Sequence, residues 1–290
     1  MISIPFLQAV VGGIASGCVY ALVALSFVLI YKATEAVSFM QGELMISGAF
    51  AAPAATTFLG LPWWLAVLFS LSLLALLGAG LERFLVRRVA GRAHLAVVML
   101  TLGLGMMLRG LVSLVPAWTT QTHALPLPVA GKVWRVGEVA LAAEHVAVAA
   151  LTGLLCLSFW LFYRRTRTGL ALRACGENAE SAALMGVPVP RMHALTWGVA
   201  AALAAFAGIL LAPITFVHAG MGYLALKSFA AAVLGGMASL PGTMAGGLLL
   251  GVVEAAAGFA LPEGFKDAAV WLVLLGAMLW RPHGLAAARG

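Results

Sequence analysis

Long apolar runs, each about as long as a bilayer is thick, constrain this chain more than any other feature of its sequence. A helix needs about 20 apolar residues to cross a hydrocarbon core of about 30 Å. Such runs fall near residues 5–30, 38–59, 62–82, 94–115, 139–163, 193–217, 229–260 and 267–281. They lack the alternation of barrel strands, and only 9% of all residues are charged. We therefore predict an all-α integral membrane protein, a polytopic helical bundle of about eight spans.

Basic residues cluster between these runs and predict an orientation. One group holds Arg83, Arg87, Arg88 and Arg92, and a second holds Arg164, Arg165, Arg167, Arg173 and Arg191. Cytoplasmic loops are rich in Lys and Arg, so we expect both groups and Lys32 on the cytoplasmic side. The N-terminus is then outside, the C-terminus with Arg281 and Arg289 inside, and loops 60–62 and 116–137 outside. No aromatic residues alternate with the arginines, so no nucleic-acid partner is expected.

The run at 229–260 is interrupted at Ser239-Leu240-Pro241-Gly242. As a single span it would put the C-terminal arginines outside, against the positive-inside rule. A broken or re-entrant helix pair restores the predicted orientation. Irregular backbone at membrane depth must be buried in protein or border a water-filled cavity. Pro241 and Gly242 are therefore candidate pathway-lining residues, with a helix merely kinked at Pro241 as the alternative.

Catalytic and nucleotide-binding motifs are absent from the sequence. It contains no H-E-x-x-H metal motif, no G-x-S-x-G elbow and no G-x-x-x-x-G-K-[ST] phosphate loop. We therefore expect no enzyme activity and no cofactor or metal site in this chain.

Two carboxylates inside the apolar runs, Glu43 and Glu254, are candidates for a functional role. A charge at mid-membrane costs about 2.5–3.5 kcal/mol on insertion scales. We therefore expect Gln41, Gly42 and Glu43 to face the bundle interior or a lumen, unless Glu43 reaches the near interface. Glu254 is a candidate pathway-lining residue on the same argument.

The polar stretch ENAESAALMGVPVPRM, residues 177–192, predicts a short cytoplasmic helix. Asn178 suits the N-cap, Gly186 suits the left-handed position after the last turn, and Pro188 ends the segment. Two turns are not stable alone, so the helix must dock on something. The simplest hypothesis is that the helix binds a soluble cytoplasmic partner, and the alternative is that it packs against the chain's own helix ends. The apolar knob offered to it is Ala179, Ala182, Ala183, Leu184 and Met185.

These stretches together resemble a known family. The segment in which Gly186 follows Glu180 by six residues is similar to the coupling loop of ABC-importer permeases. The chain resembles, more specifically, the shorter type of branched-chain amino-acid permease. The matching stretches are GCVYALVALSFVLIYK, SFMQGELMISGAF, ERFLVRR, TLGLG, RACGENAESAALMGVPVPR, FAAAVLGGMASLPGTMAGGLLLGVVE and RPHGL. The family usually has Asn-Phe-Ala and often His-Gly-Glu where this chain has Ser38-Phe39-Met40 and Gln41-Gly42-Glu43.

The resemblance implies one permease domain, residues 1–290, in the cell inner membrane, with membrane lipid around it. Loop 164–192 would carry a coupling helix whose Glu180, Ala183 and Gly186 meet an ATPase. The implied partners are a second related permease, two cytoplasmic ATPase subunits that bind ATP and Mg, and an external solute-binding protein. The implied cargo is branched-chain or other hydrophobic amino acids. Importers of sugars, urea or short amides, and a stand-alone channel or carrier, remain as alternatives.

Overall fold

The apolar runs form helices in the computed structural model, which describes residues 4–35, 37–89, 94–115, 132–136, 139–237, 239–262, 264–281 and 284–285. The helices are α1 (Ile4–Thr34), α2 (Gln41–Leu59), α3 (Trp63–Leu81), α4 (His94–Ser113), α5 (Ala143–Arg165), α6 (Arg167–Glu177), α7 (Ala179–Leu184), α8 (Val189–Thr215), α9 (Tyr223–Gly235), α10 (Leu240–Ala260) and α11 (Phe265–Trp280). A π-helical turn, Glu82–Val86, extends α3 into a last turn at Arg87–Val89, and a 3₁₀ turn, Ala219–Gly222, precedes α9. The prediction of an all-α polytopic bundle is confirmed, with one small addition. Strands β1 (Val133–Val136) and β2 (Val139–Ala142) pair antiparallel, with Val133 opposite Ala142.

Six helices in the described ranges are long and apolar enough to cross a membrane, namely α1, α3 with its extension, α4, α5, α8 and α10. Helix α2 has 19 residues and α11 has 16. Including these two gives the predicted number of about eight spans. Arg92, Arg289 and residues 116–131 of the predicted outer loop lie outside the described residues.

Helices α1 and α8 form the buried centre of the bundle. Of their apolar stretches, 83% and 72% are buried, against 17–28% for α3, α4, α5 and α10. The outer helices keep apolar side chains exposed, such as Leu76, Met106 and Leu154. Lipid tails are as apolar as these side chains, so the exposed faces suit contact with membrane lipid.

Glycines bring α1 and α10 into backbone contact. Gly13 and Gly17 of α1 lie against Gly251 and Gly247 of α10. A Cβ built on Gly247 would lie 2.5 Å from the Cα of Ala21, closer than real Cβ atoms come. Small residues allow such close approach of membrane helices. The two helices run antiparallel, so α10 begins toward the end of the bundle where α1 finishes.

Substitution of Gly247 by alanine tests this contact. We expect Gly247→Ala to destabilise the folded chain by about 1–3 kcal/mol, the usual range for overpacking, because the added methyl group meets the backbone of Ala21. Thermal unfolding in detergent, followed by loss of the monodisperse chromatographic peak, measures the effect. Gly276→Ala in α11 is the matched control, since nothing lies within 4 Å of its Cβ position. Equal melting temperatures for the two variants would contradict a tight α1–α10 contact.

The predicted break in the 229–260 run is present, three residues earlier than expected. Helix α9 ends before Gly236, which has a φ of +90°. Helix α10 begins at Leu240, and the Ser239 hydroxyl accepts a hydrogen bond from the N–H of Gly242 at 3.2 Å. Pro241 therefore lies in the first turn of α10 rather than in the break, because proline fits a first helical turn and serine fits the cap.

Helices α9 and α10 are antiparallel neighbours. Gly235 packs against Gly242 near the break, and Gly246 packs against Ala231 one turn further along. Helix α9 has 13 residues and rises about 20 Å, which is shorter than a hydrocarbon core of about 30 Å. Helix α10 thus ends on the side of the bundle where α9 begins, as in a re-entrant pair.

Candidate functional site

Helix α7, the predicted coupling helix, is fixed at both ends by hydrogen bonds. Asn178 caps its start, with the side-chain oxygen accepting a hydrogen bond from a first-turn N–H at 2.8 Å. Gly186 follows its end with a φ of +82°. The N–H of Gly186 donates to the carbonyl of Ala183, and the N–H of Val187 donates to that of Ala182, both at 3.0 Å. This is the Schellman arrangement that a glycine after the last turn permits.

The apolar end of α7 points away from the bundle. Leu184 is 88% exposed and Met185 is 85% exposed, and Glu180 and Ala183 are exposed beside them. Ala182 is buried against the chain itself, so the predicted knob is narrower than expected. One face of α7 therefore anchors the segment, and the other offers two large apolar side chains.

A cavity of about 570 Å³ opens beside α7, between α6 and the end of α1. Glu35, Glu177 and Glu180 line it, together with Lys32. Carboxylates outnumber the single lysine in this group. The cavity is therefore suited to a basic side chain from outside the described bundle.

The end of α3 is tied to the start of α8. The Arg87 guanidinium lies 2.6 Å from the Glu82 carboxylate and donates a hydrogen bond of 2.6 Å to the carbonyl of Pro190. Glu82 is buried in the π-helical turn that extends α3. Such turns occur frequently at functional sites. The stretch ERFLVRR thus links α3 to the residue where the α7 segment enters α8.

The chain enters the bundle interior before α2 begins. Ser38 and Gln41 are fully buried, and the N–H of Phe39 donates to the hydroxyl of Thr101 in α4 at 3.3 Å. Because residues 37–40 are non-helical, Glu43 lies in the first turn of α2.

Gln41 and Gly42 both face the interior. The side-chain oxygen of Gln41 accepts a hydrogen bond from the hydroxyl of Ser26 at 3.2 Å. Its amide nitrogen is buried and has no hydrogen-bond partner in the described part of the chain. A Cβ on Gly42 would lie 3.0 Å from the carbonyl oxygen of Gly222. The start of α2 thus packs closely against the start of α9. The side-chain N–H₂ of Gln41 remains a buried hydrogen-bond donor without a partner among the described residues.

Glu43 forms a loose ion pair with Arg109 of α4. Its Oε1 lies 3.6 Å from a guanidinium nitrogen, and its buried Oε2 has no hydrogen-bond partner among the described residues. The Glu43 side chain is 16% exposed and that of Arg109 is 58% exposed. Sequence reasoning missed Arg109, although a lone arginine in the apolar stretch MMLRGLVS is a signal for a functional position.

Glu254 belongs to a compact charged network. Lys227 lies 2.7 Å from one of its oxygens and 2.6 Å from Asp267, and the Tyr20 hydroxyl donates to its other oxygen at 2.7 Å. This network joins α1, α9, α10 and α11. A cavity of about 700 Å³ lies beside Glu254 and Tyr20. Lys227 was also missed, although it interrupts the apolar stretch LALKSFAAAV.

Pro241 and Gly242 are separate from the start of α2. They lie next to the end of α9, whereas Gly42 contacts the residues where α9 begins. Pro241 borders an apolar cavity of about 410 Å³ with Cys18, Cys156 and Trp160, and Gly242 packs on Gly235. The predicted pathway residues therefore lie in separate places, with Gln41, Gly42 and Glu43 together at the start of α2, Pro241 and Gly242 at the start of α10, and Glu254 in the network at Lys227.

Comparison with known proteins agrees with this architecture. Residues 9–280 match the family described as branched-chain amino acid transport system / permease component. The chain is 32% identical to the high-affinity branched-chain amino acid transport system permease protein BraD of Pseudomonas aeruginosa, over 97% of this chain and 95% of that protein. It is equally similar, at 32% and the same coverage, to the permease protein LivH of Escherichia coli K12.

A solved structure shares the fold. The chain resembles PsaBC from Streptococcus pneumoniae in complex with Fab, with a TM-score of 0.51 and 16% sequence identity, over 94% of this chain and 89% of that chain. The family match and the identity to BraD and LivH both extend over nearly the whole chain. This chain therefore belongs to the branched-chain amino acid transport system permease family.

Proposed function

We propose that this chain forms the translocation pathway of an ATP-driven importer in the cell inner membrane. Its cargo would be branched-chain or other hydrophobic amino acids, delivered by an external solute-binding protein. A second related permease would complete the pathway. Two cytoplasmic ATPase subunits would bind ATP and Mg and carry out hydrolysis. Residues 1–290 would act as one permease domain, with loop 164–192 as the site of coupling.

The exposed apolar end of α7 carries this proposal. Leu184 and Met185 protrude from a segment whose other side chains are small or polar, and the Schellman bonds at Gly186 hold them in place. Their exposure would be removed by a groove on a cytoplasmic partner. The carboxylates beside them, Glu177 and Glu180, line a cavity suited to a basic side chain of that partner.

A displacement of α7 would be transmitted to the buried helices over only a few residues. Helix α7 ends at Leu184, and residues 185–188 connect it directly to α8, which begins at Val189. Helix α8 is buried at the bundle centre, and Arg87 ties its start to the end of α3. Closure of the ATPases would move α7, and α8 and α3 would follow, switching access from one side of the membrane to the other.

The orientation follows from charge. The arginine groups near α3 and α6 would be cytoplasmic, with the N-terminus outside and the C-terminus inside. The hydrogen bond of 2.9 Å from the N–H of Leu285 to the carbonyl of Leu234 supports a cytoplasmic C-terminus, because it holds Leu285 near the break between α9 and α10.

Co-purification tests the assembly. We expect the tagged chain, gently solubilised from its native membrane, to bring an ATPase subunit with it. We expect Leu184→Ser to lose most of that subunit, because the change removes the largest exposed apolar side chain of α7. Leu59→Ser is the matched control, since Leu59 is 58% exposed at the far end of α2. Immunoblotting and mass spectrometry of the eluate measure the ratio.

Other results would favour the alternatives. A wild-type chain that purifies without any ATPase would overturn the importer proposal in favour of a stand-alone channel or carrier. If an intact complex takes up sugars, urea or short amides but no branched-chain amino acid, the proposal of an importer would stand and the proposed substrate would be wrong.

A further inference from the structure

Two charged groups in the described part of the membrane helices, one at Lys227 and one at Glu43, differ in how fully their hydrogen bonds are made. In the network at Lys227, three contacts of 2.6–2.7 Å pair the lysine with two carboxylates and give both oxygens of Glu254 a partner. At Glu43 the distance to Arg109 is 3.6 Å, and the second carboxylate oxygen is buried without a partner in the described ranges. The first group is closed, and the second has unused capacity for hydrogen bonds.

The exposure of Arg109 also needs an explanation. Its side chain is 58% exposed on α4, a helix of which only 17% of the apolar stretch is buried. An arginine facing lipid is strongly unfavourable, so charged residues in spans face protein or a water-filled cavity. Arg109 therefore marks a face of α4 that lipid does not cover.

Glycines rather than larger side chains lie next to the Glu43 carboxylate. The neighbouring positions on α4 and before α9 are glycines, Gly105 and Gly222, whose Cβ positions would lie 3.5 Å and 3.7 Å from Glu43 side-chain atoms. Gly110, next to Arg109, has nothing within 4 Å of its Cβ position. Gly110 therefore leaves open space beside Arg109, from which a small ligand can approach the ion pair.

We propose that Glu43 and Arg109 bind the charged ends of an amino acid during its passage. This inference rests on the proposed function and names the binding residues of its pathway. Arg109 donates to the α-carboxylate, because guanidinium groups bind carboxylates with two parallel hydrogen bonds. Glu43 accepts the α-ammonium through its free oxygen. The pair and the zwitterion are each neutral overall, so binding adds no net charge at membrane depth.

The apolar part of the ligand has a suitable neighbour. Met106 precedes Arg109 by three residues on α4, which puts both on one face of the helix, and it is 75% exposed. Methionine side chains adapt to apolar groups of different shape. The site is therefore expected to hold the charged groups firmly and to discriminate weakly among branched side chains.

Binding to the intact complex in nanodiscs, without the solute-binding protein, tests the proposal. The probes are L-leucine, L-leucinamide, which lacks the carboxylate, and 4-methylpentanoate, which lacks the ammonium group. We expect the wild type to bind leucine about 10- to 100-fold more tightly than either analogue, the contribution of one charge-assisted hydrogen bond. In Arg109→Gln the preference for leucine over leucinamide should disappear. In Glu43→Gln the preference for leucine over 4-methylpentanoate should disappear.

Two controls keep the result decisive. The double variant Glu43→Gln/Arg109→Gln leaves no unpaired charge and should lose both preferences while keeping the wild-type chromatographic profile. Arg281→Gln, at the exposed end of α11, should keep both preferences. Wild-type preferences that survive in the single and double variants would overturn this site and leave the importer proposal intact. A wild-type complex that neither binds nor transports any amino acid would overturn the proposed function itself.

Discussion

Gly186→Leu is expected to abolish ATP-driven uptake while the chain still inserts at the wild-type level. Gly186 has a φ of +82°, a conformation that costs a residue with a side chain about 1–2 kcal/mol. That is enough to shift the segment toward another conformation by a factor of roughly 5–30. The Schellman bonds to Ala183 and Ala182 would be lost, and Leu184 and Met185 would leave their position. Uptake of labelled leucine into proteoliposomes, with ATPase activity measured in parallel, shows the uncoupling.

Gly60→Leu is the matched control for this change. Gly60 has a φ of +63° and open space around its Cβ position, so the local strain is similar. It lies at the other end of α2, away from α7. Uptake in Gly60→Leu should stay within about twofold of wild type, since surface changes away from special features usually have small effects. Equal losses in both variants would mean that strain, rather than coupling, causes the defect. Glu180→Arg should also uncouple, because it reverses a charge beside the apolar knob.

Lys227→Met is expected to remove most of the folded chain from the membrane. Lys227 is 5% exposed and pairs with both Glu254 and Asp267. Removing one partner of a buried ion pair costs about 3–5 kcal/mol, because the remaining charge is left uncompensated. Here two carboxylates would remain. The yield of monodisperse protein and its melting temperature in detergent measure the loss.

Two further variants separate charge from packing. Lys266→Met removes an exposed lysine beside the same network and should melt like the wild type. The triple variant Lys227→Met/Glu254→Gln/Asp267→Asn removes all three charges and should recover much of the stability, since a buried ion pair replaced as a unit is often neutral in its effect. A triple variant as unstable as the single one would show that Lys227 acts by packing and not by charge.

Local rules made the structure of residues 177–192 predictable. The cap at Asn178, the left-handed glycine at Gly186 and the proline stop depend on residues within a few positions of one another, so the sequence shows them directly. The break before α10 was predictable for the same reason. Its position was shifted because glycine can end one helix at Gly236 while proline and serine begin the next.

Pairings between distant helices could not be predicted. Tyr20 and Glu254 are separated by 234 residues, and no local pattern indicates that they meet. Lys227 and Arg109 were visible as isolated charges in apolar stretches, but their partners depend on how α4, α9, α10 and α11 pack. For the same reason, the sequence treats Glu43 and Glu254 alike, whereas the structure distinguishes a loose pair from a closed network.

The contact between α1 and α10 has a consequence for biosynthesis. Helix α1 is synthesised first, and the glycine face of α1 stays without its packing partner until α10 has been synthesised. At roughly 5–20 residues per second, translation of the 234 residues between Tyr20 and Glu254 takes roughly 10–50 seconds. During that interval α1 lies in the bilayer, and the face of α1 that carries Gly13 and Gly17 is not covered by α10. A nascent chain halted before Leu240 would lack this partner altogether, and membrane proteases would meet α1 as an unassembled span.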